Sequence, residues 1–352
     1  MQHRQTHIDA LKCIGSQLIV LHHFSAYGPV ADAATLAAPA LMGWLYDYAR
    51  MAVQVFLVLG GYLAVHSLLP VARAQTSLPV TLLRRYQRLM LPFLVSLLLA
   101  VASAALARHW MSADFIPAAP SWSQVLAHLL LLHGVLGVDA LSAGVWYVAI
   151  DFQLFVLLAL LLRLGYQVSH VMRLAQVLVL SLMLASLFFF NRLEALDNWA
   201  VYFFGAYGLG AAAWWAGSAK YPALPLALLA GVSLLALAFD FRMRIALALA
   251  VALLLGLRQW QQATTPEGPS LLARALHWLG KSSYALFLVH FPVLMLGNAL
   301  FVKLHLSGPQ AGIAMLLACW ATSMLVAQLF ERWVEAPLTH SLHWRQLRHA
   351  RS

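Results

Sequence analysis

The sequence predicts an all-α, polytopic membrane bundle of about ten transmembrane helices with both termini cytoplasmic, and three observations carry that prediction. The first is composition. Of 352 residues, 62% are hydrophobic and 10% charged, with a mean hydropathy of +0.79, whereas an ordinary soluble domain is about 25% charged. The second is a series of apolar runs near the ~20-residue length that a ~30 Å hydrocarbon core requires. They lie at 8–26, 49–69, 88–108, 144–164, 172–190, 199–216, 222–239, 243–257, 281–303 and 310–331. The third is charge asymmetry. Of the 22 Lys and Arg residues, Lys12 and Arg50 fall within spans, Arg108, Arg192, Arg242, Arg244 and Lys303 fall on one face, and the remaining fifteen fall on the other. Basic residues gather on the cytoplasmic side, which puts both termini there. The net charge of +10 therefore reflects topology rather than nucleic-acid binding.

The opening helix, His7–Phe24, carries Asp9, Lys12, Gln17, His22 and His23. A lipid-facing helix does not tolerate that load, since a mid-membrane Lys or Asp costs about 2.5–3.5 kcal/mol on insertion scales. The helix belongs inside the bundle, and it is too polar to be a cleavable signal peptide. Lys12 and His23 are about 16 Å apart along it and roughly 20° from one azimuth. His22 and His23 point about 100° apart, so at most one of them faces a given site.

Further along, 123–138 is apolar for too few residues to span and reads as an interfacial or re-entrant helix. The longest loops outside are expected at 26–48 and 109–143. The eighth span is short, and the flanking Arg242 and Arg244 run against the charge rule. Cys13 and Cys319 fall inside apolar segments and read as packing residues, supporting neither a disulfide framework nor a thiolate metal site.

Four later stretches bear polar groups that an apolar bundle must accommodate. Phe56–Leu63 places Gly60 and Gly61 mid-span, where paired glycines permit close helix approach. Leu83–Pro92 puts Arg84 and Arg88 one turn apart on one face, either as an inside anchor or as an anion site suited to the phosphates of a cofactor. Val145–Phe155 carries Asp151 and Gln153. A buried carboxylate needs a partner, and a first-helix imidazole oriented by Asp151 would serve. Leu279–Val293 carries Lys281 at an edge and His290 before Pro292, a histidine that could also simply bond a carbonyl freed by the proline.

In this order, Asp9–Phe24, Phe56–Leu63, Arg84–Phe93, Trp146–Gln153, Gly280–Pro292 and Val334–Pro337 resemble the motifs of the acyltransferase 3 family of integral membrane O-acyltransferases. Lys12 stands where the family often has Arg, Gly60 where Ser is common, Asp151 where Glu is common, and Ala336 where a basic residue often precedes the proline. The resemblance implies transfer of an acyl group, usually acetyl, from cytoplasmic acyl-CoA to a hydroxyl of a cell-surface glycan, a lipid-linked sugar or a secreted oligosaccharide.

It also implies roles for individual residues. His23, Asp151, Lys12 and His290 would be catalytic, Arg84, Arg85, Arg88 and Lys281 would hold the donor, and Trp146, Tyr147, Gln153 and Asp9 would contact substrate. His23 acts as general base in this reading, or carries the acyl group briefly. Acyl-CoA is expected as donor substrate, with no metal or bound prosthetic group. The implied partners are membrane lipid, the glycan acceptor and polysaccharide-assembly machinery, and the implied location is a bacterial inner membrane. The family-like domain would span 1–337, followed by a cytoplasmic basic tail, 338–352, whose histidines read as surface rather than as a metal site. A secondary transporter or glycan exporter, or a non-enzymatic subunit of a polysaccharide synthase, would share this composition.

Overall fold

A computed structural model of the chain describes residues 6–262 and 271–338; most of the basic tail, with its histidines, lies outside the described residues. Every regular element among the described residues is helical. In order these are α1 (Thr6–Ala26), α2 (Gly28–Ala37), α3 (Pro39–Tyr48), α4 (Val53–Ala72), α5 (Leu78–Ala107), α6 (Trp122–Leu129), α7 (Trp146–Ser169), α8 (Met172–Phe188), α9 (Ala200–Gly217), α10 (Ala223–Phe239), α11 (Met243–Gln262), α12 (Leu271–Lys281), α13 (Ser283–Lys303) and α14 (Pro309–Phe330), which runs into a π-helical turn at Glu331–Glu335.

Each of the ten apolar runs has its helix. Among the described residues, seven helical segments are long and apolar enough to cross a membrane: Pro39–Ala72, Leu78–Ala107, Trp146–Val168, Met172–Arg192, Met243–Gln261, Ser283–Lys303 and Pro309–Leu338. Of the other three, α1 bears the polar load already noted, α9 is rich in Gly, Ala, Tyr and Trp, and α10 is an apolar helix of 17 residues. The eighth span is not short, since α11 has 20 residues. α6 has eight residues, about 12 Å at ~1.5 Å each, and does not span.

The chain divides into two compact units, one drawn from Met1–Ala52, Tyr86–Trp146 and Leu271–Ser352, the other from Val53–Arg85 and Tyr147–Ser270. In the first unit, the polar residues of α1 find partners on its neighbours. His277 Nδ1 on α12 lies 2.9 Å from Asp9 Oδ2, Trp320 Nε1 on α14 donates to Gln17 Oε1 at 2.8 Å, and His22 Nδ1 meets the Leu45 carbonyl on α3 at 3.3 Å. The segment expected to be a loop at 26–48 is instead helical, formed by α2 and α3. α2, ten residues and about 15 Å long, is too short to span and is held by tertiary packing, whereas α3 runs on into the segment Pro39–Ala72. Asn298 of α13 accepts from Val30 N at 3.0 Å and donates to the Tyr27 carbonyl at 3.2 Å. A side chain at Gly312 of α14 would run into the backbone of Ala33 and Ala34.

In the second unit, α4 and α9 cross at backbone contact. A Cβ on Gly61 would strike the Tyr207 carbonyl, and one on Gly210 the Val58 carbonyl, so packing without a hydrophobic driving force is secured here by close approach. Ser186 on α8 accepts from Gly205 N at 2.8 Å and donates to the Tyr202 carbonyl at 3.1 Å. The arginines that opposed the charge rule have local work. Arg242 donates to the Leu187 carbonyl and to Asn191 Oδ1 at 2.8 and 2.9 Å, and Arg244 donates to the Asn191 carbonyl at 2.8 Å. They cap the negative C-terminal end of α8, with Asp240 held by Arg192 at 3.0 Å beside them.

Candidate active site

His23 lies one turn from the end of α1, and His290 lies on α13 two residues before Pro292. His23 is 8% exposed and His290 is fully enclosed. His23 Nδ1 is 2.6 Å from His290 Nε2, and His290 Nδ1 is 3.0 Å from the Leu286 carbonyl. The two rings are parallel within 2° with centroids 4.9 Å apart. That separation is the N···N distance plus two ring radii, so the bond lies in a shared ring plane rather than between stacked faces. A carbonyl can only accept, so His290 Nδ1 carries a proton. A neutral His290 then offers Nε2 as acceptor, His23 Nδ1 donates to it, and the lone pair of His23 is placed on Nε2. No described residue hydrogen-bonds that Nε2.

The walls around the pair are aromatic: Tyr27 and Phe291 pack near His23, and Phe287 near His290. Gly144, on the connection before α7, completes them. Its φ of +81° lies in the left-handed region, and a Cβ there would press on the Phe287 ring at 3.1 Å and on His23 Cε1 at 3.5 Å. Only glycine combines that conformation with that closeness. Pro292 has no part in holding His290, because the carbonyl a proline frees is four residues back, at Leu288, whereas His290 bonds Leu286.

At the other end of α1 sits a charged cluster. Lys12 has Asp9, Arg88 and Glu335 as its charged neighbours, and Glu335 also faces Glu331 and Lys281. Lys281 Nζ is 2.6 Å from Glu331 Oε1. Three cations thus meet three carboxylates, brought together by α1, α5, α12 and the π-helical turn, a form often found at functional sites. Lys12, eleven residues and about 16 Å along α1 from His23, belongs to this cluster and not to the imidazole pair. Asp9, expected to contact substrate, is taken up by His277.

Asp151, expected to orient His23, has a different partner: Arg85 Nη2 donates to its Oδ2 at 2.5 Å. The guanidinium of Arg85 also lies 5.1 Å over the Phe155 ring, and Tyr207 and Gly60 line the same place. Arg85 was expected at the donor instead. Arg84 and Arg88 are exposed on α5, while Arg85, about 100° round the helix from Arg84, turns inward. Gln153 is also engaged structurally, its Oε1 accepting from the Ala200 backbone N–H at 3.1 Å, the first residue of α9. Tyr147 packs edge-on against Phe56, and Trp146 is half-buried at the start of α7.

The sequence profile of a family described as an acyltransferase domain matches residues 6–332 of this helical membrane chain. The chain belongs to the acyltransferase 3 family. Searches of curated proteins and of solved structures return no match. Membership makes the chain a multi-pass membrane acyltransferase, and the acyltransferase chemistry draws attention to residues the motifs passed over. Gly144, Glu331 and His277 are three of them. Glu331 and His277 are visible in the sequence as polar groups, but nothing there joins His277 to Asp9 of α1 or Glu331 to Lys281 of α12.

Proposed function

We propose that this acyltransferase moves an acyl group, acetyl in the simplest case, from cytoplasmic acyl-CoA to a hydroxyl of a cell-surface glycan, lipid-linked sugar or secreted oligosaccharide. The observation that supports the reading most directly is the contact of His23 Nδ1 with His290 Nε2 while His290 Nδ1 faces the Leu286 carbonyl, from which we assign the His23 proton to Nδ1 and its lone pair to Nε2. His23 Nε2 takes the proton of the acceptor hydroxyl as its oxygen bonds to the thioester carbonyl carbon. Collapse of the tetrahedral intermediate breaks the carbon–sulfur bond, and the departing thiolate takes the proton back from the imidazolium. General-base help of this kind is worth about 10²–10⁴-fold. His290 is a positioning residue that fixes the ring and its tautomer.

The exposed pair Arg84 and Arg88, one turn apart on α5, suits the phosphates of the donor. Lys281 and Lys12 would join them if phosphate displaces Glu331 and Glu335 from the charged cluster. A membrane of the bacterial inner type fits a donor from the cytoplasm and an acceptor destined for the surface. The test is turnover of labelled acetyl-CoA by purified chain and its His23→Ala variant, with glycan and lipid fractions of the host as acceptors. Loss of transfer with the variant still folded in the membrane is expected. Retained transfer would overturn the assignment of His23, and a labelled protein formed by wild type without acceptor would replace direct transfer with an acyl-imidazole route.

A further inference from the structure

Away from the histidine pair, α8, α9 and α10 enclose a cleft of about 390 Å³ within the second unit. Its walls are apolar, with Leu180, Met183, Leu229 and Val232 among them, and polar groups appear only at one end, as Gln176 and Trp215. Gln176 lies one turn into α8, Trp215 is two residues from the end of α9, and Pro225 is two residues past the start of α10, so all three belong to the end where the chain turns from α7 to α8 and from α9 to α10. From Gln176 to Leu184 along α8 is about 12 Å, less than half of a ~30 Å hydrocarbon core. Leu184 and Leu228 of the lining are exposed, on apolar helices, so the cleft opens to the unit's outer surface.

An apolar concavity of one-leaflet depth, open to that surface and tipped with an indole and an amide at interface level, has the profile of a lipid tail ending in a polar head. The charge at that end selects the head. Arg173 lies three residues before Gln176, on nearly the same face of α8, and is exposed, as is Lys220 on the α9–α10 connection. We infer that the cleft is a binding site for an anionic phospholipid, one acyl chain lying against Met183, Leu229 and Val232, with the headgroup phosphate at Arg173 and Lys220.

The test reconstitutes the full chain in phosphatidylcholine vesicles doped with phosphatidylglycerol brominated at mid-chain. The fluorescence difference between the chain and its Trp215→Phe variant isolates Trp215. Saturable quenching is expected, half-complete at a mole fraction about tenfold lower for brominated phosphatidylglycerol than for brominated phosphatidylcholine, because two basic residues attract a net-negative headgroup, whereas the choline cation of phosphatidylcholine cancels its phosphate charge. The double variant Arg173→Gln, Lys220→Gln should erase that preference. Val232→Phe, with an unchanged unfolding midpoint, should abolish saturation by filling the cleft. Quenching that rises in simple proportion to mole fraction for both lipids, or saturation that survives Val232→Phe, would overturn the site.

Discussion

Replacing His290 separates its proposed role in holding His23 from mere packing. The hydrogen bond from His23 Nδ1 ends on His290 Nε2 at 2.6 Å in an enclosed setting. Leaving a buried donor without its acceptor costs about 1–3 kcal/mol, and at 1.36 kcal/mol per decade that is a fall in kcat of about 5- to 150-fold if the cost falls on the transition state. The choice of substituent sharpens the prediction. Gln reaches about as far as Nε2 and can offer its amide oxygen to His23, whereas Asn reaches only the Nδ1 position, where it can serve the Leu286 carbonyl but not His23. His290→Gln should therefore stay within about tenfold of wild type, and His290→Asn and His290→Ala should fall further, with the donor KM little changed. His23→Ala should cost about 10²–10⁴-fold, and the double variant His23→Ala, His290→Ala should be no worse, since His290 acts through His23. The assay is steady-state acyl transfer from labelled acetyl-CoA, each variant checked for an intact unfolding transition. Equal effects of Gln and Asn, or additive losses in the double variant, would refute the reasoning.

Gly61→Ala and Gly210→Ala, whose new methyl groups would meet backbone carbonyls of the facing helix, should each destabilise by about 1–3 kcal/mol or more in detergent unfolding. Gly231→Ala, with open space around it, should be neutral or gain up to ~1 kcal/mol of helix propensity. Asp151→Asn should destabilise by less than the ~3–5 kcal/mol of a fully buried broken pair, because the Arg85 side chain is 29% exposed and water screens it; adding Arg85→Gln should recover part of the loss, and a refolded but inactive double variant would place Asp151 in the chemistry. His133, on the segment after α6, is 2% exposed with neither ring nitrogen hydrogen-bonded, and burial, then the neighbouring His128, push its pKa from 6.5 down to about 4. The unfolded chain takes up that proton near pH 6.5 and the folded chain does not, so the unfolding midpoint should fall as pH drops from about 6.5 to about 4, and His133→Gln should flatten the fall.

Composition and the length of the apolar runs carried the helical class, since each run became a helix, and the polar load of α1 implied a helix packed against others, as α1 is. What stayed hidden depends on tertiary placement. α2 is too short to show in a window sized for spans, and it owes its position to Asn298 and Gly312, about 270 and 280 residues away in the chain. The partner of His23 is 267 residues distant, beyond anything local spacing reports, so the carboxylate nearest in motif order was an available but different candidate. The turning of Arg85 away from Arg84 was within reach, because consecutive helical residues diverge by about 100°. Gly144 offered no signal at all, since its need for positive φ exists only beside the Phe287 and His23 rings.

A base that takes a proton only in passing can be held by a carboxylate, as in Ser-His-Asp sites, or, as here, by a neutral partner that holds its ring without holding its charge. A carboxylate does both: in a low-dielectric interior it favours the imidazolium, whose Nε2 has no lone pair to offer. His290 is bound at Nδ1 to the Leu286 carbonyl, so its neutral ring can accept from His23 but cannot donate back without giving up that bond. The pair thus leaves His23 neutral and correctly protonated before reaction. When Nε2 takes the acceptor proton, the Nδ1–H bond to His290 becomes charge-assisted and about twice as strong. That gain is absent from the ground state and present as charge develops, the property that raises kcat rather than merely tightening binding.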